Sequence, residues 1–315
     1  MKLLGLDIGG TKCAAVVGEW DGEHLSLGRR AVCPTDHTVD GCAMVERLLA
    51  LADTIVETPP DAIGIACGGP MDAARGIVLS PPNLPRFDAV PVAEMASAHF
   101  SAPAHLVNDA NAGALAEWRF GAGRGLSSMV FLTFGTGLGA GIVLGGRLLE
   151  GANGNAGEVG HIRLAADGPI GYGKHGSFEG FCSGGGIARL ARQRAEAADV
   201  RPTYAPLGKE SEKITARDVA LAARAGDAVA REIFLTVGEK LGEGLALLAD
   251  ILNPEAIVIG GMYPRCLDLL EAPCREAFLR EALPEAASVA KILPASLGEE
   301  IGDYAALAAA LNERS

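Results

Sequence analysis

The sequence predicts an α/β protein built from two related domains, and three observations carry that expectation. First, one strand, Gly/Thr turn, strand pattern occurs twice. Residues 4–12 read LGLDIGGTK and run on into CAAVV; residues 132–139 read LTFGTGLG and run on into AGIVL. Gly9 then falls on Gly135, and Thr11 on Gly137. Second, apolar runs of strand length alternate with segments of helical period along a chain of 315 residues, a length that favours two domains. Third, hydrophobic residues make up 49% of the chain but aromatics only 5%. The apolar content is therefore mostly Ala, Leu, Val and Ile, which lets helices lie close on sheets.

Taken in order, residues 2–8 and 12–18 read as a hairpin, with a third strand at 24–31 after the Asp21-Gly22 turn. Residues 39–56 carry Met44, Val45, Leu48, Leu49, Leu51, Ala52 and Ile55 at helical spacing. A buried strand at 62–67 is ended by Gly68-Gly69-Pro70, and the prolines make 81–85 loop. A helix follows at 92–99 and a strand at 104–107. The helix at 110–120 has Asn108 and Asp109 at its start. Residues 128–134 and 139–144 form the second hairpin. The Gly-rich stretch 151–184 shows little periodicity, and loops of that length are usually functional or disordered.

Helices are expected at 187–196, 216–224 and 228–252, and the polar segment 201–213 reads as a mobile insertion with no assigned role. A buried strand at 256–259 stops at Gly260-Gly261, followed by a helix at 266–280, a strand at 291–294 and a closing helix at 304–312. The domain boundary is expected near 118–125. That gives an N-terminal α/β domain of residues 1–120, joined by the C-terminal helix 303–315, and a larger C-terminal α/β domain of residues 121–302. No low-complexity linker marks the boundary, so the domains are expected to share a cleft.

The formal net charge of −12 argues against a nucleic acid or an anionic membrane as partner. An anionic nucleotide still fits, because local backbone dipoles and magnesium outweigh a distant net charge. The seven cysteines, Cys13, Cys33, Cys42, Cys67, Cys182, Cys266 and Cys274, include no C-x-x-C pair, as expected for free thiols in a reducing cytoplasm. The chain enters a strand at once, with no charged-then-apolar leader. No apolar run reaches the roughly 18–20 residues needed to cross a bilayer.

Asp7 closes an apolar strand, where a carboxylate is costly without a partner. A magnesium ion or a metal-bound water would supply one, and Thr11 and the Gly10 amide would meet phosphate. The plainer alternative is a tight hairpin with Asp7 capping its own turn. The second copy, with Thr136 and Gly137, tips the balance. Glycine lets backbone N–H groups approach an anion closely, and two such turns facing each other would hold the β- and γ-phosphates of one nucleotide. Gly135-x-Gly137-x-x-Ala140 also fits a dinucleotide fingerprint. That motif needs a helix next, whereas Ile142, Val143 and Leu144 continue as strand. No G-x-x-x-x-G-K-[ST] loop occurs.

Asp109 is either a simple helix cap or a base that accepts the proton of an attacking hydroxyl. The helix dipole is expected to keep it ionised and weakly basic, with Asn108 orienting a second hydroxyl. Glu158, His161 and Glu179 stand on Gly-rich loops. Carboxylates and imidazole suit paired hydroxyls, although each residue alone reads more simply as a surface or structural group.

As a set these segments resemble the ROK family of sugar kinases and sugar-responsive repressors. The resemblance covers nearly the whole chain. It includes DIGGTK, Cys67-Gly68-Gly69-Pro70, Pro82-Asn83-Leu84-Pro85, NDANAGALAE from Asn108 to Glu117, FGTGLGAGIV and GEVGH. It continues through Ser183-Gly184 and Ile257-Val258-Ile259-Gly260-Gly261. It implies the duplicated actin-like ATPase (ribonuclease H-like) fold, with a cleft between two domains and transfer of the ATP γ-phosphate to a sugar hydroxyl, usually O6 of a hexose.

By motif, Asp109 is the implied catalytic base, and Asn83, Asn108, Glu158, His161 and Glu179 are the implied sugar ligands. Gly9, Gly10, Thr11, Lys12, Thr136 and Gly137 are implied at the phosphates and Gly260 and Gly261 at the nucleotide, with Asp7 reaching Mg²⁺ through water. A homodimer is also implied. Glucose is the default sugar; mannose, fructose, allose and N-acetylhexosamines stay open.

One departure from the family pattern is plain. The family follows its GH pair with C-x-C-G-x-x-G-C-x-E, a structural zinc site completed by that His. Here Ile170, Tyr172 and Ser177 occupy the cysteine positions. Zinc needs about four N, S or O ligands, so no structural zinc is expected, with Tyr172, Phe178 and Phe181 filling the space by packing. The family's repressors place a helix-turn-helix before the first loop; this chain starts that loop at Leu4. The competing readings are a non-catalytic sugar sensor and a nicotinamide dehydrogenase.

Overall fold

A computed structural model describes residues 1–198, 200–205 and 213–312. Most of the polar segment expected to be a mobile insertion, residues 206–212, and the end of the closing helix, 313–315, lie outside the described residues.

The chain opens with β1 (Lys2–Ile8), β2 (Lys12–Trp20), β3 (Leu25–Pro34), α1 (Gly41–Asp53), β4 (Ala62–Cys67), β5 (Met71–Asp72) and β6 (Ile77–Val78). Next come α2 (Val92–Phe100), β7 (Ala104–Asn108), α3 (Asp109–Phe120), β8 (Met129–Phe134), β9 (Leu138–Leu144) and β10 (Arg147–Leu148). Then follow β11 (Ile170–Gly171), β12 (Lys174–His175), α4 (Phe178–Phe181), α5 (Gly184–Ala197), α6 (Ala216–Arg224) and α7 (Ala228–Leu252). The chain continues through β13 (Ala256–Ile259), α8 (Leu267–Glu281), α9 (Pro284–Val289), β14 (Lys291–Pro294) and α10 (Ile301–Ala310).

Two five-stranded sheets repeat one plan, in the orders β3-β2-β1-β4-β7 and β10-β9-β8-β13-β14. In the first, β1 pairs antiparallel with β2, Ile8 opposite Cys13, and parallel with β4, Leu3 opposite Ala62. In the second, β13 lies parallel between β8 and β14. The central strands are covered on both faces, which is why they read as unbroken apolar runs rather than alternating ones. β3 is an edge strand and alternates.

The chain divides into two compact units. The first holds residues 1–127, 141–156 and the chain from Ser296 onward; the second holds 128–140 and 157–295. The chain passes from the second unit to the first inside β9, between Ala140 and Gly141.

In the first unit, Met44, Leu48 and Leu49 of α1 bury with Ile63 and Ile65 of β4. Asp40 caps α1, accepting from the Ala43 N–H at 2.9 Å. The Ala-rich α10 lies directly on the sheet, with Ala306, Ala308 and Ala309 fully buried. It can do so because Gly5 and Gly64 have no side chain. A Cβ on Gly5 would stand 2.9 Å from that of Ala306, and one on Gly64 would strike the Ala306 carbonyl. In the second unit Phe131, Phe134, Phe178, Phe234 and Phe278 are almost wholly buried.

The Gly-rich stretch 151–184 is built from short pieces: a 3-10 turn at Val159–His161, the β11–β12 hairpin and α4. Elements of two to four residues leave no periodicity to read. All seven cysteines are free thiols. No helix among the described residues is long and apolar enough to cross a membrane.

Candidate active site

In the first unit, β1 and β2 meet at the turn Gly9–Lys12, closed by the Gly9 N–H donating to the Lys12 carbonyl at 3.2 Å. Thr35 and His37, two residues that motif reading missed, hold this turn. The Thr35 hydroxyl donates to the Gly9 carbonyl at 2.6 Å, and its N–H to the Thr11 carbonyl at 3.0 Å. His37 Nε2 donates to the Gly10 carbonyl at 2.8 Å. Gly10 lies against Asn83, since a Cβ there would stand 2.8 Å from the Asn83 carbonyl oxygen.

Asn83, Asn108 and Asp109 converge around Gly68 and Gly69. A Cβ on Gly68 would be 3.8 Å from Asn83 Oδ1 and 3.9 Å from Asp109 Oδ2; one on Gly69 would be 3.4 Å from Asn108 Nδ2. These are van der Waals distances, so the two glycines lie directly beside the polar groups. Asn108, not Asp109, caps α3. The Ala110 N–H is shared between Asn108 Oδ1 at 3.0 Å and Asp109 Oδ1 at 2.8 Å, leaving Asp109 Oδ2 on the side of Gly68.

The expected weak basicity of Asp109 is not what the structure gives. Its side chain is open to solvent, yet surrounding protein leaves the carboxylate poorly hydrated and raises its pKa against the opposing pull of the Ala110 N–H. Asp7 is pushed up to about 6, by burial first, then by the negative charges of Asp109 and Asp303, with Lys12 and Arg30 pulling the other way.

In the second unit, the turn between β8 and β9 is closed by the Gly135 N–H donating to the Gly137 carbonyl at 3.1 Å. Thr136 is exposed at its tip. The first turn of α5 rests on this loop, with the Gly184 N–H donating to the Gly135 carbonyl at 2.8 Å. Gly260 and Gly261 reach the same place. The Met262 N–H donates to the Phe134 carbonyl at 2.7 Å, and Gly261, at φ +65°, has no room for a Cβ beside that oxygen.

Glu179 packs on the same loop. Its Oε2 accepts from the Leu138 N–H at 3.2 Å and would lie 2.8 Å from a Cβ on Gly137. Gly160 packs 3.3 Å from the Glu179 Cβ on the same measure. This sets the exposed residues Glu158 and His161 on either side of that contact. The site residues thus form two groups, one in each unit.

The three positions without cysteine behave differently from one another. Ser177 is fully buried, accepts from the Gly180 N–H at 3.1 Å and donates to the Gly171 carbonyl at 3.4 Å. Ile170 and Tyr172 turn outward, 39% and 74% exposed. Tyr172 therefore does not fill the space by packing. It sits at the hairpin tip with φ +43°, and its ring meets that of His161 edge-on at 6.1 Å. Phe178 and Phe181 do pack inward. Arg163 Nη1 donates to the His175 carbonyl and Lys174 Nζ to the His161 carbonyl, both at 2.7 Å. Among the described residues, no group of three His, Cys, Asp or Glu side chains is placed to hold a metal ion.

Two sheets of one plan, each with a glycine turn between its first two strands, define the duplicated actin-like ATPase fold. Within that class, the chain belongs to the ROK family, whose pattern matches residues 3–313. It is 35% identical to the glucokinase of Streptomyces coelicolor over 305 residues, 95% of this chain and 94% of that protein. It superposes on the ROK hexokinase of Thermus thermophilus with a TM-score of 0.83 at 32% identity, covering 99% of this chain and 98% of the other. A ROK family glucokinase from Streptomyces griseus, in complex with glucose and AMPPNP, matches with a TM-score of 0.78 at 34% identity, over 99% of this chain and 100% of that one.

Proposed function

We propose that the chain is a cytoplasmic, homodimeric, ATP-dependent hexose kinase that phosphorylates a sugar hydroxyl, O6 of glucose or of a closely related hexose. The observation that carries this reading is the gathering of Asn83, Asn108 and the poorly hydrated Asp109 around two side-chain-free residues, Gly68 and Gly69, beside the first glycine turn. Identity to glucokinases along nearly the full length supports it.

In this mechanism Asn83, Asn108, Glu158, His161 and Glu179 bind and orient the sugar hydroxyls. Asp109 Oδ2 accepts the proton of the attacking hydroxyl as the hydroxyl oxygen bonds the γ-phosphorus and the bond from that phosphorus to the β–γ bridging oxygen breaks, releasing ADP. The raised pKa makes Asp109 a stronger base than an ordinary carboxylate. Backbone N–H groups at Gly9–Lys12 and Thr136–Gly137 hold the triphosphate, with Gly260 and Gly261 beside the nucleotide.

The residues present fit Mg²⁺. Asp7 offers a hard oxygen donor whose pKa is raised by burial and then by two further carboxylates, and magnesium asks for only one or two carboxylates besides phosphate and water. Bound there, Mg²⁺ would neutralise phosphate charge.

The test is a coupled ADP-release assay over glucose, mannose, fructose, allose and N-acetylhexosamines, in excess Mg²⁺ with and without zinc and a zinc-selective chelator. Turnover of glucose or a near relative, unmoved by the chelator, is expected. Sugar binding without turnover of any member would make the chain a sensor instead.

A further inference from the structure

We propose that Lys174 is a positioning residue for His161, holding its imidazole as an Nε2–H donor toward the sugar. The proposal rests on the reading of His161 as a sugar ligand and adds a residue at a position that the family motif leaves unspecified. One ammonium engages one residue twice: Lys174 Nζ donates to the His161 carbonyl at 2.7 Å and lies 3.4 Å from Nδ1 of the same imidazole. An ammonium has only donors. The ring nitrogen that faces it is therefore the acceptor, and the proton of the neutral ring sits on Nε2. The Tyr172 ring, edge-on at 6.1 Å, bounds the imidazole on another side.

Lys174 is itself well placed for this task. It opens β12, opposite Gly171, one residue beyond the tip at Gly173, where φ is +76°. The next carbonyl, that of His175, is tied back by Arg163 at 2.7 Å. No carboxylate pairs with Lys174 among the described residues, so its ammonium is committed to His161. An imidazole that presents only its Nε2–H favours a sugar hydroxyl acting as acceptor at that point. The same hydroxyl is then free to donate to a carboxylate.

The rival role is a staple of the β11–β12 hairpin, for which the carbonyl bond alone would suffice. Two readouts separate the roles. In K174M, the KM for the sugar should rise about tenfold, the loss of one well-aligned hydrogen bond. The KM for ATP, kcat and Tm should stay near wild type, and K174R should recover most of the loss. In the imidazole ¹⁵N spectrum, with the His161 signal assigned among six histidines by the H161Q variant, wild type should show Nε2 protonated and Nδ1 bare. K174M should show a mixture of both tautomers.

An unchanged sugar KM in K174M, an equal rise in both KM values with a lowered Tm, or an unchanged tautomer would each overturn the proposal. If wild type phosphorylates no hexose at all, the functional reading fails by itself. The tautomer comparison still decides whether Lys174 sets the ring.

Discussion

Glu117 accepts two hydrogen bonds from Ser296, from its N–H at 3.0 Å and from its hydroxyl at 3.3 Å. The N–H groups of Leu297 at 3.0 Å and Ala122 at 2.8 Å complete the set. The carboxylate is fully buried, and no cation is needed because four donors converge on it. The contact fastens the end of α3 to the point where the chain re-enters the first unit. E117Q turns an NH₂ group toward these donors and should cost about 2–4 kcal/mol. S296A, which leaves the backbone donors in place, should cost about 1 kcal/mol or less. Urea unfolding of the two variants checks the order.

D109N removes the proton acceptor while keeping the shape of the side chain. Turnover should fall by at least ~10²-fold with sugar affinity little changed, read by steady-state kinetics and by calorimetric titration with sugar. Near-normal turnover would take Asp109 out of the role.

The pKa of Asp7, about 6 against 3.8 for the free group, makes its ionisation a burden on the fold. Such a group contributes stability below the unfolded pKa and loses it as pH rises toward the folded value. D7N should therefore be more stable than wild type at pH 7, by on the order of 2–3 kcal/mol at most. The gap should close between pH 6 and 4, while the variant loses activity. Thermal melts across that range test the sign. A D7N melt below wild type at pH 7 would refute it.

Low pH should also silence the enzyme early. Asp7 and Asp109 both have raised pKa values, and both must be ionised in the proposed mechanism. The acid limb of kcat/KM should fall above the usual carboxylate range, with apparent values belonging to the pair. A limb centred near 4 would contradict this.

G137A puts a methyl group 2.8 Å from Glu179 Oε2. The carboxylate is the flexible partner and should swing away, releasing the Leu138 N–H. The KM values for ATP and sugar should then rise together, by roughly tenfold each, with little change in Tm. A change in only one would separate the loop from Glu179.

Much of this was legible in the sequence, for identifiable reasons. β4 and β13 show as apolar runs because each lies between two parallel neighbours and is buried along its whole length. α6 and α7 begin at Thr215 and Asp227, whose side chains accept from Asp218 and Ala230 N–H groups. The hairpins β5–β6 and β11–β12 and the short α9 did not show, being too brief for any period. Thr35 and His37 reach the first turn through its backbone carbonyls, and no spacing rule connects them to it. The basicity of Asp109 depends on crowding by distant residues, whereas the sequence shows only the local helix start. Tyr172 looked like packing material by chemistry; its position at a hairpin tip made it a surface group.

The bare backbone of Gly5 and Gly64 beneath α10 has a consequence for biosynthesis. During translation the opening sheet leaves the ribosome long before the helix that covers it. Until residue 310 has emerged, an apolar face must wait uncovered while the whole intervening unit is made and has time to fold. The first unit to be synthesised is thus the last to be finished, and a nascent chain stalled before Ile301 should be the form most in need of a chaperone.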